Sequence, residues 1–323
     1  MFDTNDNSTS VLQLFEEVNI KDMHMNVLEI FLKSIGIVFN SLCILVWSRP
    51  EMQHNPGFIF WITISAYDLI SLIVSLLMNL SIDVEDLHTV RYFVMGIFLY
   101  VGKTCSTYTT VALSVDRACA LSIPLKWKRI STQFNYRVSS LSIFALGVVD
   151  RIPLLLAQTC PAARIFHDEV KLPIIDPLVS TLLPLIVILT MNSIVVFKVI
   201  ERRHNIRLSR RITTNQTIAM YKITAQLVFI SFFSVVQYGM YILLMITFLP
   251  FVQAKNVTQG IDVTQGIDRV FVVMSIYRIA AVVNTSVNFI AYNIFCRSFK
   301  RKLKYLLFSW KKNPSKNRGH LFA

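Results

Sequence analysis

Apolar runs long enough to cross a membrane recur along the whole chain, and they constrain its fold more than any other feature. A helix needs about 20 such residues to cross roughly 30 Å of hydrocarbon, whereas barrel strands alternate over roughly ten residues. Only 16% of the 323 residues are charged, against roughly 25% in soluble domains. The sequence therefore predicts an all-α membrane protein.

Seven of these runs can be counted, and we expect each to form one spanning helix. Together they predict a seven-transmembrane helix bundle over residues 26–293. The expected spans are 26–47, 57–82, 92–117, 138–158, 172–200, 218–249 and 269–293.

The basic residues of the loops predict the orientation of this bundle. Lys and Arg concentrate after the first, third and fifth spans and in the C-terminal segment, which the positive-inside rule places in the cytosol. Residues 1–25 are then an extracellular tail and residues 311–323 a cytosolic tail. The sequons at Asn7 and Asn256 fall on the outer side and are predicted glycosylation sites of a multi-pass plasma-membrane protein.

The net charge of +13 would suggest a nucleic-acid partner in a soluble protein. The basic residues are concentrated in loops on one side of the predicted bundle, and the positive-inside rule accounts for this distribution. We therefore expect no nucleic-acid partner.

Residues 294–310 have the pattern of an amphipathic helix. Phe299, Leu303 and Leu306 share one face, while Arg297, Lys300 and neighbouring basic residues mostly occupy the other. Such a helix lies on the inner leaflet with its lysines near anionic lipid. The alternative is a disordered basic tail.

Ionisable residues within the spans are candidate functional positions. Each costs about 2.5–3.5 kcal/mol at the bilayer centre, so such groups usually face the bundle and have partners. Asp68 and Lys103 lie too deep to reach the membrane surface easily, whereas Lys33 could do so. Four others lie near the outer ends of spans and could also reach the membrane surface: Asp150, Arg151, Asp176 and Arg278.

Asp116 and Arg117 close the third span. An acid beside the arginine can hold the guanidinium at the membrane edge in one state, and a shift of neighbouring helices could free it toward the cytosol. The alternative is that Arg117 is only a positive-inside anchor.

Several motifs together resemble the rhodopsin-like (class A) G-protein-coupled receptors. The matching residues are Gly36 and Asn40 in the first span, Asp68 in the second, Asp116-Arg117 with the following Pro124, Pro184 in the fifth, and Asn288 to Tyr292 in the seventh. The ending "NTSVNFIAYNIF" of the seventh span and the segment "QYGMYIL" within the sixth resemble nematode serpentine chemoreceptors and FMRFamide-like peptide receptors.

The chain departs from this family at several positions, as a divergent branch would. Ala118 stands for the tyrosine of the Asp-Arg-Tyr motif, and Phe289 for the proline of the seventh span. Val235 and Gln237 replace the tryptophan and proline of the sixth span, and Tyr92 stands where the outer disulfide cysteine is expected.

The resemblance implies three sets of site residues. Asp116, Arg117, Asn288 and Tyr292 would form the switch that couples to a heterotrimeric G protein. A sodium ion would lie among Asp68, Ser106, Asn284 and Asn288, unless these side chains form a water-bridged network without an ion; no other cofactor is expected. A ligand cavity would be lined by Lys103, Asp176, Tyr238, Tyr241, Tyr277 and Arg278.

Within that cavity, Lys103 and Arg278 would receive an anionic or carbonyl-rich group. Asp176 would receive a cation or would simply neutralise Lys103, in which case Lys103 has no ligand role.

The predicted function is that of a receptor for an extracellular neuropeptide or small chemosensory molecule. The alternative is a seven-span ligand-gated channel or transporter that uses Asp68, Lys103 and Arg117 as a charge relay, although no inverted repeat supports it. No His-Glu-x-x-His or Gly-x-Ser-x-Gly motif is present, so we expect no enzyme.

Overall fold

The computed structural model describes residues 5–53, 56–80, 88–159, 181–209, 214–254 and 263–309. Asp176, Asn256 and the predicted tail 311–323 lie outside these residues. Asn7 falls at the start of the first helix, and its glycosylation stays a prediction.

The described residues form nine α-helices and no strand, which confirms the all-α prediction. A short 3₁₀ turn, Pro50–Met52, follows the first helix. The helices are α1 (Asn5–Trp47), α2 (Phe58–Leu80), α3 (His88–Ser122), α4 (Pro124–Ile130), α5 (Gln133–Thr159), α6 (Leu183–Ser209), α7 (Thr214–Ala254), α8 (Val263–Phe295) and α9 (Arg297–Ser309).

Five helices in the described part of the chain are long and apolar enough to cross a membrane. They contain the segments Met25–Trp47, Phe58–Leu80, Leu183–Arg202, Thr224–Thr247 and Val272–Phe295. The protein therefore has the helices of a multi-pass membrane protein. The expected third and fourth spans correspond to α3 and α5, whose apolar runs are interrupted by polar and charged side chains. The seven-span count stays a prediction.

The first helix begins much earlier than its predicted span. α1 has 43 residues and includes most of the segment expected to be a tail. No proline or glycine occurs between Asn5 and Ile35, and these are the residues that disfavour helix most strongly.

The long helices pack as a closed ring. α1 contacts α2, α2 contacts α3, α3 contacts α6, α6 contacts α7, α7 contacts α8, and α8 returns to α1. α5 packs against α2 and α3. Because α3 contacts α2, α5 and α6, its polar side chains can reach several partners.

Small residues let three of these helix pairs approach closely, as in membrane bundles generally. A Cβ atom on Gly36 would collide with Ser286 of α8 and with Leu72 of α2. A Cβ on Gly102 would meet Ser71 Oγ at 2.5 Å.

The C-terminal helix α9 occupies most of the segment 294–310 that the sequence predicted. Phe299 and Leu303 are buried against the bundle, while Tyr305 and Phe308 are exposed. Lys302 Nζ lies 2.8 Å from Glu51 Oε1, which links α9 to the 3₁₀ turn. That hydrogen bond lowers the pKa of the Glu51 carboxyl, because it stabilises the charged form.

The packing of α5 on α3 generates a testable prediction at Gly147. A Cβ there would collide with Cys105 Sγ, and Cys105 is fully buried. We expect Gly147→Ala to lower the thermal unfolding midpoint of the detergent-solubilised protein, because overpacking costs about 1–3 kcal/mol.

Gly239→Ala is the matched control for this substitution. A Cβ at Gly239 would have nothing within 4 Å, and alanine is favoured over glycine in a helix by up to about 1 kcal/mol. Equal midpoints for the two variants would contradict the tight α3–α5 contact.

Candidate functional site

Asp116 is the centre of a hydrogen-bonded cluster where α3 ends. Its Oδ1 accepts a hydrogen bond from Trp127 Nε1 at 3.0 Å and another from the Tyr136 hydroxyl. Its Oδ2 lies 3.5 Å from Arg117 Nε. The residue is only 3% exposed, so one buried carboxylate holds α4 and α5 against α3.

Arg117 is thus held beside the acid that precedes it, as its sequence position predicts. Nearby, Arg202 of α6 donates to the carbonyl oxygen of Leu121 at 2.8 Å. A cavity of about 230 Å³ adjoins the cluster and is lined by residues of α2 to α5, including Asp116 and Trp127. This end of the bundle therefore combines a restrained arginine with space beside it.

Asp68 forms a second cluster in the middle of the bundle. The Ser106 hydroxyl donates to its Oδ1 at 2.6 Å, and Asn288 Nδ2 donates to its Oδ2 at 2.8 Å. Asp68 is 2% exposed. The carboxylate thereby joins α2, α3 and α8, and three of the four predicted sodium ligands lie together.

The fourth predicted ligand, Asn284, has other partners. Its Oδ1 accepts from Ser234 Oγ at 3.2 Å, and its Nδ2 donates to Gln237 Oε1 at 2.7 Å. Gln237 lies on α7. A side-chain acceptor at that position engages the Asn284 amide and turns it toward α7.

The chemistry around Asp68 fits a small monovalent cation. No basic side chain of the described residues forms an ion pair with its buried carboxylate. Ser71, one helical turn away, has a buried hydroxyl oxygen with no hydrogen-bond partner among the described residues. Carboxylate and hydroxyl oxygens are hard ligands that suit such ions.

Tyr292, predicted as part of the switch, is fully buried among aromatic rings. Its ring centroid lies 5.5 Å from that of Trp47, 5.0 Å from that of Trp61 and 5.4 Å from that of Phe299. Edge-to-face contacts of this kind contribute about 0.5–1.5 kcal/mol beyond area burial. The arrangement fixes the end of α8 against α1, α2 and α9.

A third polar cluster lies in the half of the bundle that contains Lys103. Glu29 Oε1 and Lys33 Nζ of α1 lie 2.6 Å apart. Lys33 is 1% exposed and also donates to the carbonyl oxygen of Ser75 at 3.2 Å. Lys103 lies within electrostatic range of Glu29, Lys33 and Arg278. The predicted ligand residues Lys103 and Arg278 therefore lie in the same half of the bundle as the Glu29–Lys33 pair.

The three predicted tyrosines lie on α7 and α8. The hydroxyl oxygens of Tyr238 and Thr107 are 2.6 Å apart, which connects α7 to α3. The rings of Tyr241 and Tyr277 lie 5.4 Å apart between their centroids and join α7 to α8.

Sequence reasoning missed several partners of the site residues. Glu29 was not singled out, although its spacing of four from Lys33 is that of a helical ion pair. Trp127 and Tyr136 carry no pattern that predicts a bond to Asp116. Arg151, expected to be able to reach the membrane surface, is buried and donates from Nε to Thr104 Oγ1 at 2.8 Å.

The Asp116 cluster predicts the effect of removing one hydroxyl group. We expect Tyr136→Phe to lower the thermal unfolding midpoint, because a hydrogen bond to a charged group contributes about 1.5–3 kcal/mol. Tyr305→Phe is the control, since Tyr305 is exposed on α9 and its substitution should leave the midpoint unchanged. A Tyr136→Phe protein as stable as the control would show that the bond contributes nothing.

No protein-family model matches the sequence. A comparison with curated proteins gives no significant match.

Proposed function

We propose that the protein is a seven-span receptor of the plasma membrane that has its N-terminus outside the cell. It converts the binding of an extracellular neuropeptide or small chemosensory molecule into activation of a heterotrimeric G protein. In this proposal α3 and α5 are the two spans beyond the five that composition alone identifies.

The distribution of polar groups on α3 and α5 supports their role as spans. Ser106 and Asp116 of α3 face partners on other helices, and Arg151 of α5 faces Thr104. Between Val138 and Val149 the exposed residues of α5 are apolar except for Ser142, as suits a surface that faces lipid. It carries Val138, Leu141, Phe144, Leu146 and Val149.

The observation that carries the functional proposal is the restrained Arg117. Trp127 and Tyr136 hold Asp116, and Asp116 in turn faces the Arg117 guanidinium. A change in the packing of α4 or α5 would alter these bonds and release the arginine toward the cytosol. Ligand binding drives such a change only as far as the ligand binds one state more tightly than the other.

The basic residues near this end of the bundle suit an acidic partner. Lys126, Lys128 and Arg129 lie on α4, and Arg137 is exposed at the start of α5. They would contact the G protein or anionic lipid, while α9 would lie along the inner leaflet.

The Asp68 cluster would hold the sodium ion that the resemblance implies. Asp68 and Ser106 would supply oxygen ligands, and the bound ion would offset the charge of the buried carboxylate. We expect Na⁺ to raise the thermal unfolding midpoint above its value in choline chloride at the same ionic strength. Asp68→Asn should abolish the difference, and a difference that persists in this variant would contradict an ion at Asp68.

The functional proposal is tested by two readouts on the same expressing cells. G-protein activation and membrane current are recorded while a library of peptides and odorants is applied. We expect G-protein activation without current, and its loss in Arg117→Ala at unchanged surface expression. Arg49→Ala is the matched control, because Arg49 is an exposed arginine at the same end of the bundle and takes no part in the Asp116 cluster.

A ligand-gated current that persists when G proteins are blocked would contradict the receptor proposal and favour a channel. G-protein activation that survives Arg117→Ala would contradict the role of the arginine.

A further inference from the structure

We propose that the cavity beside Asp116 binds a small neutral aromatic molecule with one hydrogen-bond donor, and that this molecule keeps Arg117 restrained. The cavity lies where α3 ends, beside the basic helix α4, so it is separate from the ligand cavity predicted around Lys103. The binding step stands without the receptor function, whereas the regulatory effect rests on that proposed function.

The cavity has the size of a small ring compound. It encloses about 230 Å³ between α2, α3, α4 and α5. An engineered cavity of roughly 150 Å³ in another protein is large enough to bind benzene, so this one accommodates one ring or two fused rings. A peptide or a whole lipid molecule is too large for it.

One end of the cavity is buried and the other is exposed. Phe60, Asp116 and Tyr136 line the cavity and are buried. Ile130 and Asn135 also line it, at the junction of α4 and α5, and both are exposed. A molecule can therefore enter beside Ile130 and Asn135 and come to lie against the buried residues.

The walls of the cavity suit an aromatic ring. The rings of Phe60 and Tyr136 lie 4.9 Å apart in an edge-to-face arrangement, and the indole of Trp127 also lines the cavity. Ala112 and Val115 of α3 add apolar surface. Aromatic pairs prefer edge-to-face and offset-stacked contacts, and a flat ring can make such contacts with these aromatic side chains.

Asp116 supplies an acceptor for one donor of the ligand. A carboxylate has about four acceptor positions, and both hydrogen bonds from Trp127 and Tyr136 go to its Oδ1. Its Oδ2 lies 3.5 Å from Arg117 Nε, which is longer than a hydrogen bond. The adjacent guanidinium already offsets the charge of the carboxylate, so a neutral donor suits the site better than a cation.

A ligand in this cavity would stabilise the arrangement in which Arg117 is held. The cavity is lined by α3, α4 and α5, the helices that Asp116 joins through Trp127 and Tyr136. Release of Arg117 requires these helices to repack, which changes the cavity. A molecule that binds the restrained state more tightly shifts the protein toward that state, so we expect it to lower receptor activity.

The test measures protection of an introduced thiol in the full chain in lipid nanodiscs. Ser139→Cys places this thiol in the cavity wall, and mass spectrometry follows its labelling by a maleimide. We expect 2-naphthol to slow the labelling about tenfold at ten times its dissociation constant. The methyl ether of 2-naphthol lacks the donor and should protect far less at the same concentration.

Leu125→Cys is the matched control for labelling, because Leu125 is 83% exposed on α4 and is not among the residues that line the cavity. Its labelling rate should be the same with and without the probe.

A larger side chain in the cavity should abolish the protection. Ala112→Met fills the cavity from α3, whereas Ala120→Met changes a position on α3 that does not line it and should keep the protection. The thermal unfolding midpoint shows whether each variant is folded. Val115→Met fills the same cavity and replaces Ala112→Met if that variant does not fold.

Four results would overturn the binding site as proposed. Labelling of Ser139→Cys at the same rate with and without 2-naphthol would show that the probe does not bind there. Equal slowing at Leu125→Cys, or protection that persists in Ala112→Met, would indicate a general effect on the bilayer. Protection by 1-octanol alone would assign the cavity to an alkyl chain, and equal protection by the methyl ether would overturn the role of Asp116 as acceptor.

The regulatory effect is measured in the cells that report G-protein activation. We expect 2-naphthol to lower activation in the wild type and to leave it unchanged in Ala112→Met. Unchanged or higher activation of the wild type at saturating probe would overturn the regulation alone.

The two measurements also separate this inference from the receptor proposal. Protection of the thiol in a protein that no ligand activates would leave the binding site standing and overturn the receptor. G-protein activation by a protein whose thiol stays unprotected would do the reverse.

Discussion

The whole structure depends on one constraint: a polar group inside an apolar bundle must find its partner on a neighbouring helix. Asp68 shows how the chain meets it, because its two carboxylate oxygens accept hydrogen bonds from Ser106 of α3 and Asn288 of α8. Glycines such as Gly102 and Gly147 let the helices approach closely enough for these short side chains to meet. Polar contacts and close packing therefore determine the same helix arrangement.

One helix connects the three polar clusters. Lys103, Ser106 and Asp116 all lie on α3, and Lys103 and Arg117 are separated by roughly 21 Å along its axis, at about 1.5 Å per residue. In the proposed receptor, a ligand near Lys103, a cation at Asp68 and a protein partner at Arg117 would each bias the packing of the same helix. Coupling between distant sites needs such a shared element with two arrangements.

The sequence predicted the helical fold, since apolar run length and loop charge are properties of single segments. The family resemblance also implied that Asp68, Ser106 and Asn288 would meet, and their side chains are hydrogen-bonded. Partnerships that depend on side-chain direction across a turn were not predictable. Trp127 reaches Asp116 only because α4 folds back after Ile123, and Asn284 turns away from Asp68 because Gln237 offers it an acceptor.

The central claim is that α3 crosses the membrane, because the receptor proposal requires the ligand cavity to open outside the cell and Arg117 to face the cytosol. The test determines on which side of the membrane two labels lie. One is an epitope tag placed before Met1, and the other is the cysteine of Leu125→Cys, at a position on α4 that is 83% exposed. We predict that antibody binds the tag on intact cells, while an impermeant maleimide labels the new cysteine only after permeabilisation. If the tag and the new cysteine lay on the same side of the membrane, the account would be contradicted. Two spans, α1 and α2, would then separate the two labels in place of three.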